Sequence, residues 1–248
     1  MKQLFTYLFL LISSFSFASE ALFAEANDLY KQEKYNEAIV KYESLINLDF
    51  VDESVYYNLA NAYYKQEDFA SAILNFERAL RLNPSSEDIK YNLALANQHI
   101  IDQIEALPKF WLSDFYSSMV RSFHSDTWGL ILNVLLLAML ATLILFFIGN
   151  KSSMKKMAMT LSLILFTLSI LTYLFGNSQY QVDKTCNYAI VFEQNVYVKN
   201  APSAQSSDAF ILHEGTKVMI LDNVNDWANI KLADGKKGWI ELAACKQI

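Results

Sequence analysis

LYKQE, residues 29–33, returns 34 positions later as YYKQE, residues 63–67. Sliding the chain against itself at that offset also pairs Ala38-Ile39 with Ala72-Ile73, Leu48 with Leu82, and Tyr57-Asn58-Leu59-Ala60 with Tyr91-Asn92-Leu93-Ala94. In the second copy Leu59, Ala60 and Tyr63 fall at i, i+1 and i+4, and Ala72, Phe76 and Ala79 share one face of a following helix. The spacing predicts pairs of helices that small residues allow to approach closely. One pair cannot bury its whole apolar face, so neighbouring pairs must stack and the last needs a capping helix.

A helical period of 34, with Tyr56, Leu59, Ala60, Tyr63, Ala72, Phe76, Ala79 and Pro84 at the signature places, resembles the tetratricopeptide repeat. The expected all-α solenoid covers residues 19–105, with units at 19–52 and 53–86 and a third, partial unit from 87. The first unit departs from the pattern at Glu25, Leu45 and Phe50, as a terminal repeat does. The resemblance implies a concave groove that holds a peptide or partner protein. Asn27, Tyr57, Asn58, Asn61, Lys65 and Asn92 are its candidate contacts, because amides bond both the N–H and the C=O of an extended backbone. Plain solvation of a helix surface accounts for the same residues. A clamp for a C-terminal carboxylate is disfavoured, since Phe23, Asp88 and Asn92 stand where that version of the fold places cations.

Hydrophobic residues make up 53% of the chain and charged ones only 19%, so apolar sequence is concentrated somewhere. Residues 1–18 read as a signal peptide cut after Ala18: a lysine, an apolar run, then Ser16 and Ala18 at cleavage spacing. Residues 127–149 and 157–176 read as two membrane-spanning helices, the first capped by Ser125 and Asp126, with Trp128 and Tyr173 at headgroup level. The connection 150–156 carries Lys151, Lys155 and Lys156 and no acid, which marks it as cytoplasmic. Both arms are then expected in the periplasm of a protein held in the bacterial inner membrane. Residues 106–126, with Trp111, Phe115, Met119 and Phe123 four apart, predict an amphipathic helix that either rests on the bilayer or caps the repeat core. Residues 19–126 hold 9 Lys+Arg against 18 Asp+Glu, and residues 177–248 hold 7 against 8. Nucleic acid is disfavoured as a partner, because its backbone is bound by clustered cations.

Residues 183–248 turn β-rich, in short pieces such as YAIVF, NVYVKN and KVMIL, with Asp234-Gly235 as a hairpin signal. The run from VYVKNAPS to GKKGWI resembles the bacterial SH3-type domain, a small all-β barrel. Tyr197, Trp227 and Trp239 form an aromatic peptide-binding patch or pack its core. Cys186 and Cys245 flank the module and form a disulfide in an oxidising compartment or remain thiols. His99, His124 and His213 have no metal-ligand spacing, and no phosphate loop, HExxH or GxSxG motif is present, so neither metal, cofactor nor enzyme is expected.

The succession of signal peptide, tetratricopeptide solenoid, two-helix transmembrane hairpin and SH3-like barrel makes a multidomain membrane protein. It resembles the E component of the Bacteroides aerotolerance (Bat) operon proteins. That resemblance implies partners among membrane-anchored von Willebrand A-type Bat proteins, beside a MoxR-type ATPase, and a part in envelope stress tolerance. An inner-membrane scaffold and a sensor or anchor gripping peptidoglycan both fit. The short lysine loop leaves little cytoplasmic surface for signalling and favours the scaffold.

Overall fold

Each copy of the KQE triplet ends a helix. The computed structural model describes residues 19–105, Leu107, 110–185 and 187–248, and the expected signal peptide lies outside them. Helix α1 (19–31) is followed by α2 (Tyr35–Asn47), α3 (Glu53–Lys65), α4 (Phe69–Leu82) and α5 (Glu87–Asn97). Glu33 (φ 61°) and Glu67 (φ 60°) take the same left-handed conformation. The Glu67 N–H donates to the Tyr64 carbonyl and the Asp68 N–H to that of Tyr63, both at 3.1 Å. Glu33 to Tyr30 and Lys34 to Leu29 repeat the pattern at 3.0 Å. These are paired 5→2 and 6→1 closures of a helix end, and they are the structural content of the repeated triplet.

Two compact units divide the chain. One joins the described residues up to Leu107 with Asn187–Ile248; the other comprises those described between Pro108 and Cys186. In the first, α1, α2 and α3 pack around fully buried Tyr42, Leu45, Val55 and Leu59. Helices α3, α4 and α5 pack around Ala60, Ala72, Ile73, Phe76, Ala79 and Ile89, where small side chains admit close helix approach. Asp52, Asp68 and Ser86 cap α3, α4 and α5 by accepting from Ser54, Ser71 and Ile89 N–H groups.

The β part comprises β1 (Asn187–Val191), β2 (Asn195–Lys199), β3 (Asp208–His213), β4 (Lys217–Val224), β5 (Trp227–Lys231), β6 (Lys237–Glu241) and β7 (Cys245–Gln247). They form one antiparallel sheet in the order β3-β2-β6-β5-β4-β1-β7, wrapped around Val191, Val196, Val198, Leu212, Val218, Ile230 and Ile240. Asp234-Gly235 does turn the β5–β6 hairpin, with Gly235 at φ 92°. Gly238 is required because a Cβ there would run into Val198 Cγ1 as β2 crosses β6.

Strand β1 is buried on both faces. Ala189 and Val191 enter the barrel core while Ile190 enters the core of α3–α5, joined there by Phe192 and Ile248. The repeats and the barrel thus share a continuous interior. Between them runs a strap beginning at Gln98: Ile100 packs on the helices, Ile104 on the barrel, and the Leu107 N–H reaches the Ala233 carbonyl.

The second unit contains α6 (Trp111–Val120), α7 (Ser125–Ile148) and α8 (Ser152–Thr185). Helices α7 and α8 are long and apolar enough to cross a membrane. Helical structure does not stop at the apolar stretches. Helix α8 begins five residues before 157 and runs nine past 176, so the connection shrinks to Gly149–Lys151 and the barrel begins at Asn187 rather than 183. No proline stops the helix, and the polar SSMKK and NSQYQ segments carry its hydrogen bonding beyond the apolar stretch. Lys151, Lys155 and Lys156 remain exposed. The cap of α7 is His124, whose side chain accepts from the Asp126 N–H, in place of Ser125 or Asp126. Trp128 is buried rather than at a headgroup surface, packing on Phe123 and Phe175 and donating its indole N–H to the Val120 carbonyl at 3.1 Å. Gly176 makes room for it, with Trp128 Cβ 3.0 Å from where a side chain would start. Helix α6 is shorter than 106–126 and leaves Phe123 beyond its end; Trp111 and Phe115 are exposed, and Tyr116 bonds Ser178 at 2.8 Å.

Left-handed Glu33 and Glu67 store strain that glycine relieves. Glu67→Gly should stabilise the full chain in detergent by about 1 kcal/mol and Glu67→Val should destabilise it by a similar amount, as read by urea denaturation.

Candidate functional site

Six polar side chains of the repeats were expected to line a groove. Four of them, Asn27, Tyr57, Asn58 and Asn92, take part in hydrogen bonds between the helices themselves. Asn27 Oδ1 on α1 accepts from Tyr42 Oη at 2.7 Å and from Asn58 Nδ2 on α3 at 2.9 Å. Asn92 Nδ2 on α5 donates to Tyr57 Oη on α3 at 2.7 Å, and Asn61 Nδ2 donates to the Tyr57 carbonyl of its own helix at 2.9 Å. The amides therefore form a ladder tying α1, α3 and α5 side by side. Burial pushes the Tyr42 hydroxyl well above its ordinary pKa, so it remains a donor to Asn27 at any physiological pH. Each asparagine keeps at least one amide hydrogen outside these bonds, as do Oδ1 of Asn58 and Asn92, and Lys65 is exposed. Phe23 packs on Tyr42, with ring centroids 6.2 Å apart.

On the barrel, strand alternation turns Tyr197, Trp227 and Trp239 outward. Their neighbours Val196, Val198, Ala228, Gly238 and Ile240 are buried, whereas Tyr197 is 54% exposed and both tryptophans are half-buried. Trp239 lies opposite Asn229 on β5 and Lys199 on β2; Trp227, two residues from Asn229, shares its face. The three aromatics form a surface strip instead of filling the core. Cys245 is partly buried and donates to the Leu242 carbonyl, and burial raises its thiol pKa. Its proposed bridge partner, Cys186, lies outside the described residues.

A constellation that the sequence did not reveal joins the two modules. Asp102, on the strap, accepts from the His213 N–H at 2.7 Å and from Thr216 Oγ1 at 2.6 Å through Oδ2, and its Oδ1 lies 2.8 Å from His213 Nδ1. Burial alone would raise this carboxyl, but the hydrogen bonds from Thr216 and from the His213 ring and backbone outweigh it and hold its pKa below the ordinary value. Further ties run from Lys217 Nζ to Glu77 Oε2 at 2.6 Å and from Arg78 to the Gln247 carbonyl at 2.9 Å. Gly215 (φ 86°) presses against Ile100, leaving no room for a Cβ.

Beside this latch lies a cleft of about 720 Å³, walled on one side by the α3–α4 turn and the end of α5, and on the other by Gln194, Asn195, His213 and Glu214. His99 lies flat on Phe69, with centroids 4.2 Å apart and an interplanar angle of 3°, and its Nε2 is 3.2 Å from Tyr64 Oη. The fold brings His99 and His213 to one cavity although 114 positions separate them. Among the described residues, no group of three His, Cys, Asp or Glu side chains could hold a metal ion.

Family models match three stretches: a tetratricopeptide repeat at residues 54–86, a TPR repeat at 26–67, and a bacterial SH3 domain at 194–244. The chain therefore carries tetratricopeptide repeats and a C-terminal SH3-like β domain, with two candidate membrane spans between them. No curated protein matches. Among solved structures, the chain overlaps the Yersinia enterocolitica type III secretion translocator chaperone SycD at 16% identity and a TM-score of 0.33, over 61% of this chain and 90% of that one. SycD with a peptide of the translocator YopD gives 15% identity and 0.30, over 61% and 92%. At those scores the overlaps add nothing to the assignment.

Asp102→Asn cannot accept from three donors at once and should weaken the first unit by about 2 kcal/mol near neutral pH. A carboxylate whose pKa is lowered by folding contributes in full above its unfolded value, about 4, and loses that contribution as pH falls through the lowered folded value. The stability gap between the native chain and Asp102→Asn should accordingly close below about pH 4, as followed by urea denaturation across pH.

Proposed function

We propose that this chain is a non-enzymatic adaptor of the bacterial inner membrane, with its signal peptide removed and both soluble arms in the periplasm. The observation that carries this reading is the shared interior of the repeats and the barrel. Residues packed around Ile190, and bonded through Asp102 and His213, belong on one side of a membrane. The chain between them must then cross an even number of times, which supports α7 and α8 as a hairpin. Exposed Leu130, Val134, Leu137, Leu140 and Ile144 on α7 suit lipid better than water. Lys151, Lys155 and Lys156 at the tip orient it with the tip in the cytoplasm.

In this reading the groove edge at Asn27, Asn58, Lys65 and Asn92 meets a protein partner, of which a von Willebrand A-type Bat protein is the leading example. A peptidoglycan-binding role is the second reading, and the outward strip of Tyr197, Trp227 and Trp239 favours it, because flat aromatic faces stack on sugar rings. Trp239→Ala should then release the protein from isolated cell walls and leave groove crosslinks intact.

A reporter active only in the periplasm should be bright after Ile248 and silent when inserted beside Lys151. Silence after Ile248, or activity beside Lys151, would end the adaptor reading. Photo-crosslinkers at Asn58 and Lys65 should capture a membrane-anchored von Willebrand A-type protein.

A further inference from the structure

The cleft between the α3–α4 turn and the barrel shares no lining residue with the repeat groove or the aromatic strip, and neither of those roles uses it. We propose that it is a second binding site, which takes a basic, lysine- or arginine-bearing peptide segment of a partner. Its volume of about 720 Å³ is within the range of a ligand site, and two different modules form its walls, a common place for such sites. Glu67, Asp68 and Glu214 border it, Asp102 stands behind His213, and the described residues that line it include no lysine or arginine.

The floor matches the charge. Phe69 and His99 present a stacked aromatic shelf, backed edge-on by Tyr64 at 5.6 Å from Phe69, onto which the stem and head of a long cationic side chain can lie. Gln66, Gln194 and Asn195 supply amides for a peptide backbone, and exposed Ile101 gives an apolar contact at the rim. An anionic ligand meets the carboxylates of Glu67, Asp68 and Glu214, with no lysine or arginine among the described lining residues to answer it. A neutral sugar finds the shelf but leaves the carboxylates unanswered.

The walls are also fixed in advance. The Glu67 backbone is held by the left-handed helix closure, the Asp68 side chain by its capping bond to Ser71, and His213 by Asp102, so little backbone ordering remains to be done on binding. This site stands whether or not the repeat groove holds a partner.

The full chain in detergent is titrated with a short fluorescein-labelled peptide that alternates lysine with alanine, and with its glutamate and serine counterparts, by anisotropy. The lysine peptide should bind, more weakly as salt rises, and the other two should not. Glu67→Lys/Glu214→Lys should weaken binding at least about tenfold. Glu20→Lys/Glu37→Lys, which changes net charge equally at exposed sites that do not line the cleft, should leave it within about twofold. Equal losses in the two double variants, or equal binding of lysine and serine peptides, would overturn the site. Should the cleft variant fail to fold, a photo-crosslinker at Ile101 decides: it should label the lysine peptide where one at Val40 does not, and equal labelling or none refutes the proposal.

Discussion

The rest of the structure depends on β1 being buried from both sides. A five-residue strand with Ala189 and Val191 in the barrel and Ile190 among the repeat helices cannot satisfy either core unless the two modules are docked. The polar ties follow from that contact. Asp102, His213, Thr216, Glu77 and Lys217 lie around the apolar seam, where reduced solvent access strengthens their mutual bonds and raises the cost of leaving any one unpaired. Two modules that would otherwise swing on a linker thereby become one body, although Pro108–Cys186 interrupts them in the chain.

Docking changes what each module can offer. The barrel covers the α4 side of the repeats, and the amide ladder stiffens α1, α3 and α5 on the other side. Two helical pairs and a cap form a short solenoid with few neighbours to lean on, and the barrel supplies packing that a longer array would find in its next repeat. The same contact creates a walled cleft that neither module possesses alone.

The repeat period, the helix positions and most strands were legible in the sequence, because each rests on local periodicity: 34 residues for the repeats, and alternation in NVYVK and WANIK. YAIVF carried a signal that alternation conceals, since an unbroken apolar run marks a strand buried on two faces, and that was the trace of the docking seam. Strand β7 escaped notice because CKQ has neither apolar pattern nor β-branched residues and is a strand only through pairing with β1. Helix α8 extends on both sides of the apolar stretch 157–176, because hydropathy marks where lipid begins, not where helical hydrogen bonds stop. Among the site residues, the groove amides were identifiable as residues that can bond a backbone, but not as residues already bonding each other. The latch was illegible, for no local pattern announces that Asp102 will meet His213 and Thr216 across more than a hundred positions.

The docked seam is tested most directly by zero-length carbodiimide coupling of the native chain in its membrane, followed by mass spectrometry of the joined peptides. Glu77 and Lys217, 2.6 Å apart in separate modules, should couple within a single chain as readily as Glu87 and Lys90, 2.8 Å apart on α5. Coupling of the helical pair with none between Glu77 and Lys217 would mean that the modules are not docked, and the case for a shared side of the membrane would fall with it.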